Sequence, residues 1–463
     1  MLINRKPKEI EEAIKQFQLA ISLDDTFAMA YGQLATSYWH LFNYGNIERE
    51  TAFNSMRKNI DKAMMLNNNL GYAYAALGHY YKDKDLLVTD ENTKNYKEAL
   101  KKAYEMEPNN PEIIMWYASS LGGDDDKSIE MYLKAEKIDP LAPIIKNNLA
   151  ITYKYRKEYQ KSEEVAKKNI ALNPEFIASR ILLIEMLTTP PNSKLGEGFI
   201  EAFKAYKKYP ENLDVLKLLA NLSSSLDLFK VSEEIEETIT KIYPENMSFM
   251  EVKMNNLMFR KKFEEAIKFT EDFVKKIGLP NGSTPRLSFE LFKFQFLGQD
   301  AEVYSDYIKK YHPIYLSDTL TTFKSEDEIL VIPEIITILR KVNAPKQTAD
   351  RLLKIYISTT EKEYKHNGNI TKEAQYILNR LSIIAGLKGD EKLFSEIQHE
   401  IYFNRKDKNY NQLQFDLNPT FDKIRNTPEV ILIFKKISDD LATMRAKAVE
   451  FLKAESVWEQ YKE

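Results

Sequence analysis

Five prolines, Pro108, Pro140, Pro174, Pro210 and Pro244, stand 32, 34, 36 and 34 residues apart. Proline has no backbone N–H and a fixed φ, so it ends one helix or opens the next. At this even spacing it predicts a repeated unit of about 34 residues, which constrains the fold more than any other feature. The stretch from Asp139 to Phe176 shows the unit: a helix, a tight Arg156–Tyr159 turn, and a second helix ending at Asn173-Pro174. Leu149, Ala150 and Tyr153 on the first helix face Ser162, Ala166 and Ile170 on the second. Such a hairpin cannot bury its own apolar face and must stack on copies of itself.

In period and in the placement of its small residues the unit resembles the tetratricopeptide repeat (TPR). That resemblance implies an all-α, TPR-type α-solenoid, a right-handed superhelix of antiparallel helix pairs, here of about eight to ten hairpins. Residues 8–24 read as a second helix, with Ala13, Phe17 and Ala20 inward, so the chain is expected to start in mid-repeat. Fuller units follow at Tyr31, Leu34, Ala35 and Tyr38, and at Tyr74, Leu77, Gly78 and Tyr81, with extra residues near 43–48 and 83–95. The breaker-rich stretch from Thr188 to Gly198 reads as a lengthened connection. Weaker units at Leu216, Leu219 and Ala220, then at Met250, Met254 and Leu257, lead to Gly278, where the landmarks blur. The expected organisation is a TPR superhelix over 1–278, degenerate helical repeats over 279–413, and a C-terminal motif with a capping helix over 414–463. Pro333 is expected to open a helix, and the last helix to cover an exposed solenoid end.

Composition excludes several classes of function. With 66 basic and 69 acidic residues, a net charge of −3 supplies no field to hold a nucleic acid backbone. No apolar run reaches the ~18–20 residues of a membrane helix, and the start lacks the apolar core of a secretion signal. A cytoplasmic chain is expected. Zero cysteines exclude disulfides, thiolate metal sites and a cysteine nucleophile. The five histidines include no i, i+4 pair, Glu396 and His399 form a lone Glu-x-x-His, and Gly123–Asp126 lacks the alternating ligands of a calcium loop. Gly196-Glu197-Gly198 is followed by no Gly-Lys-Ser or Gly-Lys-Thr, so it does not read as a phosphate loop. The expectation is no catalytic residue, no metal and no cofactor.

Residues Glu9 to Tyr38, together with the tail LNPTFDKIRNTPEVILIFKKI (Leu417 to Ile437), resemble the repeat half of bacterial TolB-like regulators. Asn418, Pro419, Phe421, Asp422, Ile424, Arg425 and Pro428 match its closing motif, with Asn for Asp and Ile for Leu. In that family the repeats follow a winged-helix DNA-binding domain or a class III nucleotide cyclase. The resemblance therefore implies a regulatory, protein-binding half of a bacterial signalling protein. Its alternative is a fragment of a cyclase or winged-helix regulator lacking its N-terminal output domain.

In such a superhelix the first helices of the hairpins line a concave groove, where a protein or peptide ligand is expected. Trp39, Tyr72 and His79 are the aromatic residues expected to be partly exposed there, since aromatic anchors carry much interface energy. Met115, Asn147, Lys217 and Asn221 continue the groove in this register. Lys217 and Asn221, one turn apart, resemble part of a carboxylate clamp, but Glu251 in the following repeat would repel a carboxylate.

Overall fold

The computed structural model describes residues 7–43, 45–85, 89–123, 125–189, 192–243, 247–278, 280–297, 300–323, 325–366, 375–404 and 418–462. Among them the regular structure is entirely helical. The expected all-α, TPR-type solenoid is the fold that forms. It falls into two compact units, Met1–Met186 and Leu187–Glu463. The boundary read at Gly278 lies inside the second unit, at a left-handed C-cap (φ 67°) closing the helix Phe263–Ile277. No helix among the described residues is long and apolar enough to cross a membrane.

The first unit begins with α1 (Pro7–Leu23), followed by the hairpins α2 (Ala28–Asn43) with α3 (Arg49–Leu66) and α4 (Gly71–Asp83) with α5 (Asp90–Met106). Next come α6 (Pro111–Leu121) with α7 (Asp126–Ile138), and α8 (Pro143–Tyr155) with α9 (Tyr159–Leu172), before α10 (Ile177–Thr188). The prolyl stops at Pro108, Pro140, Pro174 and Pro210 work through the residue ahead of each, because proline disfavours the helical region for its predecessor, and Pro244 lies outside the described residues. Glu107, Asp139, Asn173 and Tyr209 accordingly leave the helix at φ between −125° and −131°. Their N–H groups still close the last turn, as in Glu107 N to Ala103 O (3.0 Å) and Asp139 N to Ala135 O (2.9 Å).

Two further devices recur. Lys157, Asp227 and Lys261 hold positive φ at the tight turns within hairpins. The next residue's N–H then reaches back to Tyr153, Ser223 or Leu257 at 2.8–2.9 Å, satisfying a terminal helix carbonyl. Buried serines tie the second helix to the first: Ser128 Oγ donates to Ala118 O (2.9 Å) and Ser162 Oγ to Ala150 O (2.6 Å). Ala150, Ser162 and Ala166 are completely buried, as their placement on facing helices requires.

The second unit continues with α11 (Leu195–Lys208), α12 (Leu213–Ser225), α13 (Phe229–Ile242), α14 (Met247–Phe259), α15 (Phe263–Ile277), α16 (Thr284–Leu297) and α17 (Ala301–Tyr311). One of its cores surrounds α18 (Glu326–Lys341), whose Ile332, Ile335, Ile336 and Leu339 pack against α16, α17 and α19 (Lys346–His366). Then come α20 (Gln375–Lys388), α21 (Glu391–His399) and the long helix Pro428–Ala454.

Two expectations are corrected here. Pro333 lies inside α18 rather than at its start, because Ser325 already caps that helix by accepting the Glu328 N–H. Leu195–Gly198 belongs to α11 and not to a loop; Gly196 is there because a Cβ would stand 2.7 Å from the Met444 carbonyl. The long helix Pro428–Ala454 packs on α21 near the end of the stack and also reaches back to earlier helices. It runs from a core with Phe394, Tyr402 and Phe421 back to α11, where its Phe451, and Tyr461 of the short helix Trp458–Tyr461 that follows, each meet Phe203 at 5.9 Å.

The closing motif has a packing explanation. Asn418 caps a short 3-10 turn by accepting the Thr420 N–H (2.9 Å), and Arg425 returns to the Asn418 carbonyl (2.6 Å). Phe421 lies over Gly386, where a Cβ would come within 2.6 Å of its ring.

Candidate functional site: a cleft at the N-terminal hairpins

The first helices of the first unit bring their aromatic residues into one row. Trp39 on α2 stacks on His79 of α4 (3.7 Å between centroids, 16° between planes), and Trp116 of α6 meets His79 edge-on at 5.0 Å. Trp39 Nε1 donates to Asp83 (2.8 Å), which anchors the end of the row. Trp39 stays partly exposed as expected, whereas His79 is only 2% exposed. The reason is the flat stack: two aromatic faces in contact leave no room for solvent on the smaller ring. His79 therefore packs helix against helix rather than lining an open surface.

Tyr72 and Met115 come together with residues of the turns that precede α6 and α8. They line a cleft of about 630 Å³ with Glu107, Asn110, Glu112, Asp139, Ile144 and Ile145, between the turns that precede α6 and α8. Pro108, Pro111 and Pro143 complete its walls. Tyr72 donates to Glu112 Oε2 at 3.0 Å; burial first, and the adjacent Glu112 carboxylate second, push the phenol's pKa up, so it remains a donor. Asn110 caps α6 through the Glu112 and Ile113 N–H groups, and its amide donates to Glu107 (2.9 Å). Asp139 accepts the N–H groups of Leu141 and Ala142 (3.2 and 3.1 Å). The turns are thus pinned by their own side chains, and the cleft is set by rigid elements. Part of the signal for it was present in the sequence: Glu107, Asn110 and Asp139 stand directly before Pro108, Pro111 and Pro140.

Asn147 does not face a groove. It is 6% exposed and accepts from Ser179 Oγ (3.1 Å), which in turn accepts from Asn169 Nδ2 (2.7 Å). Asn169 also reaches the Pro143 carbonyl (2.8 Å), so α8, α9 and α10 share one buried polar chain. An asparagine at that depth must find partners, and these hold it inward. In the second unit Lys217 and Asn221 are partly exposed on α12, and Asn255 of α14 donates to Asn221 (3.4 Å). The side chain of Glu251 lies outside the described residues.

Chemically the cleft offers an apolar floor, hydrogen-bond acceptors and negative charge. Among the described residues no group of three or more His, Asp or Glu side chains could hold a metal ion. No protein-family model matches the chain, and no curated protein matches it. Solved structures similar to it include the type IV pilus biogenesis factor PilW, 20% identical over 49% of this chain and 97% of that one (TM-score 0.39). Yeast Tom70 is 14% identical over 95% and 93% (TM-score 0.39). YrrB, described as a TPR protein with an unusual peptide-binding site, is 21% identical over 37% and 82% (TM-score 0.25). These are loose likenesses, and the fold stands on the hairpin geometry itself.

Proposed function

We propose that this chain is a non-catalytic TPR scaffold that binds a protein or peptide, with the cleft at Tyr72, Met115 and Ile144 as the seat of the ligand. The observation that carries this reading is the cleft itself. It is concave, apolar at its base, ringed by a few oriented polar groups, and shaped by turns whose hydrogen bonds are already made. Preformed clefts of this kind bind without a large ordering cost. Trp39, partly exposed at the far end of the row that runs through His79 and Trp116 to Tyr72, is a further contact on this reading, with His79 stacked on its face. Lys217 and Asn221 are secondary contacts on this reading.

Selection from a displayed random-peptide library on the immobilised full chain tests it. Enriched peptides are expected to lose about tenfold or more in affinity for the Ile144→Arg variant, which fills the cleft. Peptides that bind both proteins equally would move the site elsewhere; no enrichment at all would sink the scaffold reading.

The finer reading is that the scaffold is the regulatory half of a bacterial, cytoplasmic signalling protein. Its support is the resemblance of the closing motif, from Asn418 to Pro428, to that of such regulators. Gene sequence upstream of Met1 encoding a cyclase or winged-helix domain would agree with it, and an unrelated upstream gene would not.

A further inference from the structure

We infer that the ligand is an extended segment that places an apolar side chain in the cleft at Met115 and Ile144 and, four residues away, an asparagine or glutamine in a second pocket. The inference rests on the peptide-binding reading above. The second pocket, of about 230 Å³, lies at the other end of the same two helices. Ser119 of α6, Gly122 just beyond it, Tyr132 of α7, and Asn148, Thr152 and Tyr155 of α8 line it.

The cleft and the pocket are two ends of one trough. Glu112, Met115, Ser119 and Gly122 follow one another at three or four residues, as do Ile144, Asn148, Ile151 and Tyr155, so each set falls on one face of its helix. Ile144 in the cleft and Thr152 in the pocket are eight residues apart on α8, about 12 Å at roughly 1.5 Å per residue. An extended chain covers that distance in about four residues at roughly 3.3 Å each, and its residues i and i+4 point to the same side. The spacing of the two pockets therefore sets the spacing of the two anchors.

The lining decides the chemistry of the second anchor. Among the described residues no charged side chain lines the pocket, although charged residues make up 29% of the chain. The Ser119 and Tyr132 hydroxyls share a hydrogen bond (2.7 Å), and Thr152 Oγ1 donates to the Asn148 carbonyl (2.9 Å). Burial holds the Tyr132 phenol above its ordinary pKa, so it carries no charge. The Asn148 side-chain amide is partly exposed and makes no hydrogen bond among the described residues. It offers both a donor and an acceptor, and a second primary amide answers both at once. The Tyr155 ring, 72% exposed, supplies a flat wall for such a planar group. An ionised side chain would give up water here and meet no opposite charge, and an aliphatic one would cover the Asn148 amide without pairing it.

The test is a fixed array of short peptides probed with the full chain. Each peptide carries leucine or phenylalanine and, four residues to one side or the other, glutamine, leucine, glutamate or lysine, with serine and threonine elsewhere. On one of the two sides, glutamine spots are expected to retain about tenfold more protein than the other three. Glutamine moved to a spacing of three or five residues should lose that advantage. Asn148→Asp keeps the shape of the side chain and should pass the advantage to lysine. Glutamine that binds no better than leucine, glutamate or lysine, or that serves equally at a spacing of three, would overturn the amide pocket. So would an order of spots unchanged by Asn148→Asp. In each of these cases, signal that is still lost on Ile144→Arg leaves the peptide reading standing. Signal unmoved by Ile144→Arg, or no signal on any spot, would overturn both.

Discussion

Lys447 Nζ donates to a carboxylate oxygen of Glu197 at 2.6 Å, across 250 residues of sequence. Partial burial alone would raise the Glu197 pKa, but the Lys447 bond holds it below the usual carboxylate range. Lys207 with Glu455 (2.7 Å), and Gln460 and Tyr461 with Glu234 (2.7 and 3.1 Å), repeat the connection. The long helix therefore ties the last hairpins of the second unit to its first ones. An open stack of repeats unfolds piecemeal; one tied in this way loses the tie and the stack together.

The apolar part of this tie outweighs its charges. Leu452 is completely buried, so Leu452→Ala should destabilise the second unit by about 2–4 kcal/mol. Lys447→Ala, with its lysine 52% exposed, should cost less than about 1 kcal/mol. Urea unfolding followed by hydrogen exchange checks both. Leu452→Ala is expected to expose amides in α11 and α13 as well as in the long helix. Equal effects from the two variants would mean that charge, not burial, holds the helix.

Gly196→Ala provides a separate probe, since the new methyl would stand 2.7 Å from the Met444 carbonyl. Alanine is the better helix former by about 1 kcal/mol, so a glycine needed only for the chain's turn would be improved by the change. We expect the opposite, a loss of about 1–3 kcal/mol from the clash, read as a lower urea midpoint. A rise in the midpoint would show that the long helix simply moves away.

The buried chain of Asn147, Ser179 and Asn169 should be sensitive to removal of its middle member. Ser179→Ala leaves Asn147 and Asn169 each short of a partner at a site with no access to water, at a cost of about 1–3 kcal/mol. Thermal unfolding of the full chain measures it. A change of less than about 0.5 kcal/mol would mean that the two asparagines pair directly.

Glu334 on α18 accepts a long hydrogen bond from Asn418 (3.4 Å), and burial raises its pKa to about 7. An unfolded glutamate titrates near 4.3. Below that value both states are protonated and folding loses nothing. As the pH rises through 4.3 towards 7, the unfolded state ionises first and the folded state is penalised. Glu334→Gln should therefore stabilise the protein by about 3–4 kcal/mol at pH 8 and by almost nothing at pH 4. His312, whose burial lowers its pKa, acts in both proteins alike and drops out of the difference. A pH-independent effect of the substitution would refute the linkage.

The repeat was legible because it is local. Proline excludes its predecessor from the helix, alanine and serine permit close approach, and both effects act within a few residues of sequence. Leu149, Ala150, Tyr153, Ser162 and Ala166 could thus be assigned to the inside before any packing was known. The all-α solenoid follows from those positions alone. Exposure within the groove did not. Whether His79 or Asn147 faces solvent depends on what the neighbouring hairpin places over it, Trp39 in one case and Ser179 in the other.

The sequence by itself determined the hairpin, its period, and the way that each hairpin ends and begins. The tertiary structure decided which side chains remain open, that the residues beside the prolines form a cleft, and that the last helix returns to α11. Those outcomes depend on contacts between residues from about 30 to 250 positions apart, which no local periodicity encodes. Pro333 marks the same divide: the proline rule alone placed it at a helix start, but Ser325 and the packing of Ile332, Ile335 and Ile336 carry the helix through it.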